Sequence, residues 1–341
     1  MSFRTMLLAI AALTGFATSP ALAQDSAAVQ ALYEKARTEG SVMIWGPSRG
    51  EVEWVPAAFA KAFPGIEVRF VGDNDVVTKA ITEARSGRSE LDVMWNSVTA
   101  TAPMVQRDMP APMDWTPFGL PAEETGFSGK MGFSNKVAYA VAFTKDGVTP
   151  DDLPKKWDDV LADKYKGKMV ASLFLLPRLL GGLSLSWGME RTERFARDLT
   201  GSKTGLMLTK APRESLIQSG ERQLAYGEID TGFRRQIKDG KPFAITLPEP
   251  VILVQFGVTV MAKAPHPNAA RLLAGWLTTP QSRMARAEAT GQVDYEKTST
   301  DPFAQSLYSG AREAVFDLPS NMAQREEAIR KLGPIIAGQA Q

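Results

Sequence analysis

Short apolar segments of strand length alternate with helical patterns in the first hundred residues, and this alternation restricts the fold more than any other feature. Each apolar segment ends at a glycine or at polar residues, and apolar residues at helical spacing separate the segments. Three such units in a row predict a parallel sheet with helices on both faces. The predicted strands are residues 41–45, 66–71 and 91–95, and the predicted helices are residues 30–39, 57–63 and 76–84.

The pattern changes after residue 100 and then resumes. A proline-rich stretch at residues 103–121 predicts an irregular surface excursion that Trp115 and Phe118 dock onto the protein. A segment at 136–143 has the length and the β-forming residues of a strand that crosses into a second α/β section. The later predicted elements are strands 168–172, 243–247 and 256–262 and helices 157–161, 179–187, 268–277 and 281–290.

The first 23 residues have the three parts of a secretory signal peptide. Arg4 supplies the positive start, residues 6–16 form the apolar stretch, and Ala21-Leu22-Ala23 supplies small residues before a cleavage site. The apolar stretch is shorter than the roughly 20 residues that a membrane-spanning helix needs. We expect cleavage after Ala23 and export to the periplasm, without a lipid anchor because no cysteine follows.

Length favours two lobes, and composition limits the catalytic and metal sites that the chain can form. Without those 23 of the 341 residues, 318 remain, which favours two lobes. Arg4 is one of 39 basic residues, so the rest carries 38 basic and 38 acidic side chains and has no charge excess to attract nucleic acid. There is no cysteine, and the single histidine, His266, stands between two prolines. We therefore interpret His266 as a solvated turn residue and expect no Ser-His-Asp triad, no multi-histidine metal site and no cofactor.

Small and polar residues follow the predicted strands at their carboxyl ends. In parallel sheets, ligands bind beyond these ends, where loops present side chains, backbone amides and helix N-termini. Neither a G-x-G-x-x-G fingerprint nor a G-x-x-x-x-G-K-[ST] loop follows the first three strands, so a nucleotide site has little support. The residues predicted to bind a small solute are Ser48, Arg49, Asn74, Asn96, Ser97, Ser172, Arg178, Glu228 and Glu249.

Four regions of the sequence match a known family in combination. They read FPGIEV at 63–68, ELDVMW at 90–95, PKKWDDVL and KYKGK between 154 and 168, and VMAKAPHPNAA and TPQS between 260 and 282. Over almost all of its length after the leader, the chain resembles the periplasmic substrate-binding component of an ABC importer, in the type II extracellular solute-binding group. That group includes ferric-iron binders and their organic-solute relatives.

The resemblance implies a type II periplasmic binding fold of two lobes, each a mainly parallel sheet flanked by helices. Lobe one would be residues 24–142 plus 251–341, lobe two would be residues 143–250, and the two crossings would form a hinge. Ligand held between the lobes would favour a closed form, which the membrane permease reads. The expected partners are a small-molecule ligand and an inner-membrane ABC permease, and the receptor is expected to be a monomer.

The tyrosines depart from the pattern of the ferric-iron binders, which use adjacent tyrosines. All six are isolated, and residues 226–233 contain no tyrosine pair. Arg49 and Arg178, one expected at the cleft rim of each lobe, favour a clamp on an anionic organic solute, because a guanidinium meets a carboxylate or phosphonate with two hydrogen bonds. A receptor for ferric iron or an iron complex is the main alternative. A sensory binding subunit and a periplasmic hydrolase are further alternatives.

Overall fold

The computed structural model describes residues 26–87 and 89–338, so the predicted signal peptide at residues 1–23 lies outside the described residues. Within these ranges, twelve strands belong to one sheet. In chain order the strands are β1 (Ser41–Gly46), β2 (Glu67–Gly72), β3 (Val93–Ser97), β4 (Pro110–Ala111), β5 (Thr125–Gly126), β6 (Met131–Thr144), β7 (Met169–Ser172), β8 (Met207–Thr209), β9 (Leu224–Ile229), β10 (Phe243–Thr246), β11 (Val251–Met261) and β12 (Ala314–Asp317).

Helices separate most of the strands and cover the sheet. In chain order they are α1 (Ala27–Glu39), α2 (Arg49–Val52), α3 (Val55–Ala62), α4 (Val76–Ser86), α5 (Val98–Val105), α6 (Leu176–Trp187), α7 (Met189–Thr200), α8 (Arg213–Gln218), α9 (Asp230–Lys238), α10 (Pro267–Leu277), α11 (Pro280–Thr290), α12 (Pro302–Tyr308) and α13 (Met322–Ala337). Short 3₁₀ turns lie at Thr116–Phe118, Ala122–Glu124, Pro150–Asp152, Trp157–Leu161, Asp163–Tyr165 and Pro319–Asn321. None of the helices in the described ranges is long and apolar enough to cross a membrane.

The sheet contains two parallel sets of strands joined by two antiparallel strands. β2, β1 and β3 are parallel, as the repeated units predict, and β8, β7 and β9 form a second parallel set. β11 and β6 lie between the two sets, in the order β2-β1-β3-β11-β6-β9-β7-β8, and pair antiparallel with each other and with β3 and β9. β4, β5, β10 and β12 pair at the sides of these two strands. The fold is therefore α/β, with one large mixed sheet whose two outer sets of strands are parallel and whose faces are covered by helices.

β6 is long because it belongs to both halves of the sheet. Its residues 132–138 pair with β11, whereas residues 139–144 pair with β9 and β10. The predicted strand at 136–143 is confirmed, but the strand begins earlier, at Met131. All eleven residues of β11 are buried, which fits its position in the middle of the sheet.

One hydrophobic core extends across both halves of the sheet and contains aromatic side chains from each. Trp54 packs edge-on against Trp95 with ring centroids 5.9 Å apart, and it lies the same distance from Trp276. In the other half, Trp157 meets Tyr226 at 5.4 Å and also edge-on. Trp115 and Phe118 are buried, as predicted, so the proline-rich stretch is docked on the protein.

Two further strands differ from their predicted bounds by two residues or more. The third strand is Val93–Ser97 rather than 91–95, and the Asp92 side chain just before it accepts from Met43 N and His266 N. The strand predicted at 256–262 begins at Val251. Gln255 interrupts the apolar run there, yet its buried amide donates to the carbonyls of Asn135 and Phe256, at 3.1 and 2.9 Å, and stays inside the sheet.

Candidate functional site

The loop after β1 begins the candidate site, because it carries Ser48 and Arg49. Ser48 is exposed and stands at the start of α2 in extended backbone, without a side-chain cap bond. The end of β2 lies directly against this turn: a Cβ added at Gly72 would be 2.3 Å from the backbone nitrogen of Arg49. A side chain at position 72 would therefore push the turn away, since real Cβ contacts of that length do not occur.

Arg49 is exposed over 76% of its side chain but is already paired. Its Nε donates to Glu53 Oε2 at 2.9 Å, and its guanidinium lies 5.4 Å from the centroid of the Phe70 ring. Glu53 also forms an ion pair with Arg235 of α9. Arg235 in turn donates to the carbonyl of Gly50 at 3.0 Å. This contact joins α2 and α9, which belong to the two predicted lobes.

The loops after β2 and β3 use their polar residues locally. Asn74 is exposed in the turn before α4. Asn96 is buried, and its Oδ1 accepts from the backbone N–H of Ser97 at 2.8 Å. Ser97 caps α5, because its Oγ accepts from Ala100 N at 3.3 Å. Among the described residues, this Asn96–Ser97 bond is the one hydrogen bond that joins two of the nine predicted site residues.

Ser172 and Arg178 occupy the corresponding turn after β7. Ser172 is buried, and its Oγ accepts from Phe174 N and Leu175 N at 3.1 and 3.2 Å. Arg178 Nη1 donates to the carbonyl of Phe174 at 2.7 Å, and its guanidinium lies 3.5 Å from the centroid of the Phe174 ring. Phe174 is 53% exposed, so this cation and ring face solvent together at the carboxyl end of the strand.

Arg178 differs from the other arginines of the site because no acid accompanies it. In the part of the chain that the structure describes, no carboxylate lies within 4.0 Å of its guanidinium. Burial lowers the pKa of Arg178, the nearby Tyr139 phenol opposes this shift, and the Arg325 guanidinium adds to it. The charged form is thus held in surroundings that favour an added anion.

Arg325 links Arg178 to the loop after β3. Its Nη1 donates to Thr99 Oγ1 at 3.0 Å and forms an ion pair with the buried Asp317, while its Nη2 lies 3.5 Å from the carbonyl of Arg178. Burial raises the pKa of Asp317, and the Arg325 charge opposes that rise. Thr99 is two residues beyond Ser97, so these contacts bring the turns that carry Ser97 and Arg178 to the same region.

The two predicted acidic residues already have partners. Glu228 is buried and accepts from Arg213 Nε and Nη2 at 2.7 and 2.8 Å, which is a two-pronged ion pair. Burial raises the pKa of Glu228, and Arg213 lowers it. Glu249 is partly exposed, and its Oε1 lies 3.7 Å from Arg312 Nε. Both carboxylates are therefore less available to a ligand than the sequence implies.

A buried polar cluster beside β6 was not predicted as part of the site. Asp230 Oδ1 accepts from the backbone N–H of Ala138 at 3.0 Å, and its Oδ2 accepts from Arg234 Nε and Tyr295 OH, both at 2.6 Å. Arg234 Nη2 also donates to the Tyr295 oxygen at 2.8 Å. The i,i+4 spacing of Asp230 and Arg234 is the one sequence signal that could have indicated this cluster.

Four of the six tyrosine hydroxyls donate to a backbone carbonyl or to a carboxylate. Tyr33 donates to Pro64 O at 2.5 Å, Tyr226 donates to Trp157 O at 2.9 Å, and Tyr308 donates to Tyr295 O at 2.9 Å. Within the described ranges, no three His, Asp or Glu side chains cluster as metal ligands.

The interpretation of His266 as a solvated turn residue is wrong. Only 24% of its side chain is exposed, and its Nδ1 lies 2.9 Å from Oδ2 of the fully buried Asp92. Its Nε2 lies 3.1 Å from Ser41 Oγ, so a Ser-His-Asp line of hydrogen bonds is present. The two prolines did not keep His266 in solvent, because its own N–H also donates to Asp92 at 2.8 Å and draws the turn inward.

A groove of about 570 Å³ lies apart from these residues. It is bordered by α3, α10, α11 and Lys238 of α9, with Trp54 and Trp276 in its lining. None of the nine predicted site residues lines it.

Known proteins with this architecture are periplasmic binding proteins. The iron-bound HitA of Pseudomonas aeruginosa aligns at TM-score 0.69 and 14% identity, over 86% of this chain and 99% of HitA. The substrate-binding protein of an ABC transporter from Agrobacterium tumefaciens aligns at TM-score 0.71 and 11% identity, over 87% and 94%. FutA of Trichodesmium, in complex with iron and citrate, aligns at TM-score 0.63 and 13% identity, over 88% and 99%. At these identities the likeness shows the fold, which is that of the type II periplasmic binding proteins.

No curated protein sequence matches the chain. The family model described as bacterial extracellular solute-binding protein matches residues 54–302, which is most of the chain. The chain therefore belongs to the bacterial extracellular solute-binding protein family.

Proposed function

We propose that this receptor binds an anionic complex of ferric iron with an organic acid, in a cleft between residues 24–142 plus 251–341 and residues 143–250. The observation that carries the proposal is Arg178, a partly buried cation without a carboxylate partner among the described residues. The sequence analysis favoured an anionic organic solute and gave an iron complex as the main alternative. The ligand proposed here is that alternative, and it is still an anion.

The position of Arg178 supports a role in ligand binding. It follows β7 at the carboxyl end of a parallel set of strands, where ligands bind in such sheets. The Phe174 ring beside it is more than half exposed, so a ligand would find apolar surface as well as charge. A ligand carboxylate would form charge-assisted hydrogen bonds with this guanidinium, which replace the contacts with water that burial removes.

The comparisons favour iron over an unrelated organic acid. HitA and Trichodesmium FutA are described with iron bound, and FutA holds citrate as well. The tyrosines of this chain favour a complex over the bare ion, because no two are adjacent in sequence and four donate to partners within the protein. In a complex, the organic acid supplies the oxygen ligands of the iron, and the protein recognises the remaining charge.

Isothermal titration of the mature chain tests this function. The ligands are ferric citrate, citrate alone, and ferric iron with bicarbonate, and the variants are Arg178→Ala and Arg191→Ala. Arg191 is the matched control, since it also lies over an aromatic ring, Trp187 at 4.2 Å, but pairs with Asp158.

We expect ferric citrate to bind most tightly and Arg178→Ala to weaken it by about 1.5 to 3 kcal/mol, the usual value of a hydrogen bond to a charged group. Arg191→Ala should leave the affinity unchanged. Equal affinity in the wild type and in Arg178→Ala would show that Arg178 does not bind the ligand and would contradict the proposal. Tight binding of ferric iron with bicarbonate, together with a visible tyrosinate band, would show that the ligand is the bare ion and not the complex.

A further inference from the structure

A second site with chemical potential lies at the amino end of β1, opposite the end that carries Ser48. Ser41 is the first residue of β1, and the strand alone spans about 16 Å at the usual rise of 3.3 Å per residue. Ser41 and His266 are both partly exposed, so a small molecule in solvent has access to them. This site is independent of the solute cleft.

The hydrogen bonds fix the imidazole in the orientation that activates a serine. Asp92 is fully buried, and its oxygens accept from Met43 N and His266 N, both at 2.8 Å, and from His266 Nδ1 at 2.9 Å. Because the Asp92 carboxylate can only accept a hydrogen bond, a neutral His266 ring carries its proton on Nδ1. Nε2 is then the acceptor that faces Ser41 Oγ at 3.1 Å. A nucleophile, a base and a group that orients the base are the parts of nucleophilic catalysis.

We propose that Ser41 is an activated nucleophile that reacts with short, uncharged carboxylic esters. In the first step, Ser41 Oγ bonds to the acyl carbon and its proton passes to His266 Nε2, while the bond from that carbon to the alcohol oxygen breaks. The alcohol leaves with the proton from His266; when it leaves as a phenolate anion, His266 releases that proton to solvent. In the second step, water bonds to the acyl carbon and gives one proton to His266, the bond from that carbon to Ser41 Oγ breaks, and His266 returns the proton to Ser41 as the acid is released.

The charge around the site selects the substrate class. Glu39 lies two residues before Ser41, and its carboxylate accepts from Asn268 N and Ala269 N at the first turn of α10, at 3.0 and 2.7 Å. Together with Asp92, it makes the surroundings negative, which disfavours anionic esters. The same two N–H groups follow His266 by two and three residues, and the proposal assigns them as the donors to an acyl oxyanion. Glu39 occupies them, so the wild-type reaction is slow.

The test uses p-nitrophenyl acetate as the substrate and a fluorophosphonate as the labelling probe, both on the mature chain. We expect a burst of about one nitrophenolate per chain and an acetyl or phosphonyl group on Ser41 in peptide mass spectrometry. Ser41→Ala should slow the reaction about 100-fold, the order expected when a positioned base loses its nucleophile. Ser186→Ala is the matched control, because Ser186 Oγ donates to Glu313 at 2.7 Å and faces no imidazole.

Glu39→Ala should react faster than the wild type, since it frees the two backbone N–H groups. Equal rates in Ser41→Ala and the wild type, or label on another residue, would show that Ser41, His266 and Asp92 only fasten α10 to the sheet. A slower reaction in Glu39→Ala would overturn the assignment of the oxyanion donors. Far-ultraviolet circular dichroism and thermal melts of each variant establish that a lost signal does not reflect lost structure.

Discussion

At the scale of single residues, several partly or fully buried arginines differ in whether a carboxylate accompanies them, and they form two groups. Arg213, Arg234 and Arg325 each pair with a buried carboxylate. Pairs of this kind contribute little net stability, but loss of one partner is costly because the other charge stays buried. Arg178 belongs to the second group, since it is partly buried and has no such carboxylate among the described residues. The paired cations hold the structure, and Arg178 is left for a ligand.

The Tyr295 hydroxyl takes part in one of these buried ion pairs, that of Asp230 and Arg234, and we predict the effect of removing it. Burial and the Asp230 carboxylate raise the pKa of Tyr295 well above its usual value, so the phenol keeps its proton and donates to Asp230. Tyr295→Phe should lower the free energy of unfolding by about 2 kcal/mol, because Asp230 and Arg234 each lose a buried partner. Urea unfolding at neutral pH measures this value.

Tyr33→Phe is the matched control, because the Tyr33 hydroxyl donates to the Pro64 carbonyl at an exposed position. Its loss should cost about 0.5 kcal/mol or less. Equal costs for the two variants would mean that the Asp230 cluster adds nothing beyond an ordinary hydrogen bond.

At the scale of elements, local hydrophobic patterns predicted the strands and helices that are formed by nearby residues. The repeated βα units predicted β1, β2 and β3 and their parallel pairing, and the bounds of α6, α10 and α11 overlap the predicted helices. The start of β11 was missed because Gln255 reads as a polar interruption, although the sheet satisfies its amide. The antiparallel insertion of β6 and β11 between the parallel sets depends on contacts far apart in sequence, and no local pattern encodes it.

The candidate site was less predictable than the sheet for the same reason. The turns that follow strands could be found from sequence, and they hold Ser48, Ser97 and Ser172 in capping or turn positions. The partners of the charged residues could not be found. Arg235 is 185 residues from the Gly50 carbonyl it binds, and His266 is 225 residues from Ser41. These pairs exist because the fold brings distant segments together.

At the scale of the whole molecule, a group of contacts from α9 joins the two predicted lobes. Arg235 of α9 holds Glu53 and the Gly50 carbonyl of α2, and Lys238, one turn later, donates to the Glu288 carbonyl of α11. If the lobes move as the family mechanism implies, these bonds exist only in the closed form. They therefore raise the closed population before any ligand arrives.

Arg235→Ala should shift the receptor toward the open form. A partly exposed ion pair is worth about 1 kcal/mol after solvent screening, so the affinity for the solute should fall about fivefold. Small-angle scattering of the ligand-free variant should give a larger radius of gyration than the wild type. Arg197→Ala serves as the control, since Arg197 pairs with Glu193 on its own helix. An unchanged radius and affinity in Arg235→Ala would mean that this contact does not govern closure.

The central claim is that the receptor captures an iron complex rather than iron alone, and equilibrium dialysis with doubly labelled ferric citrate tests it most directly. Iron and citrate carry different radiolabels and are counted separately after dialysis against the mature chain. The account predicts that both labels are retained together and that Arg178→Ala releases both. Retention of iron without citrate would contradict it, because the protein would then have to supply the ligands of the metal itself.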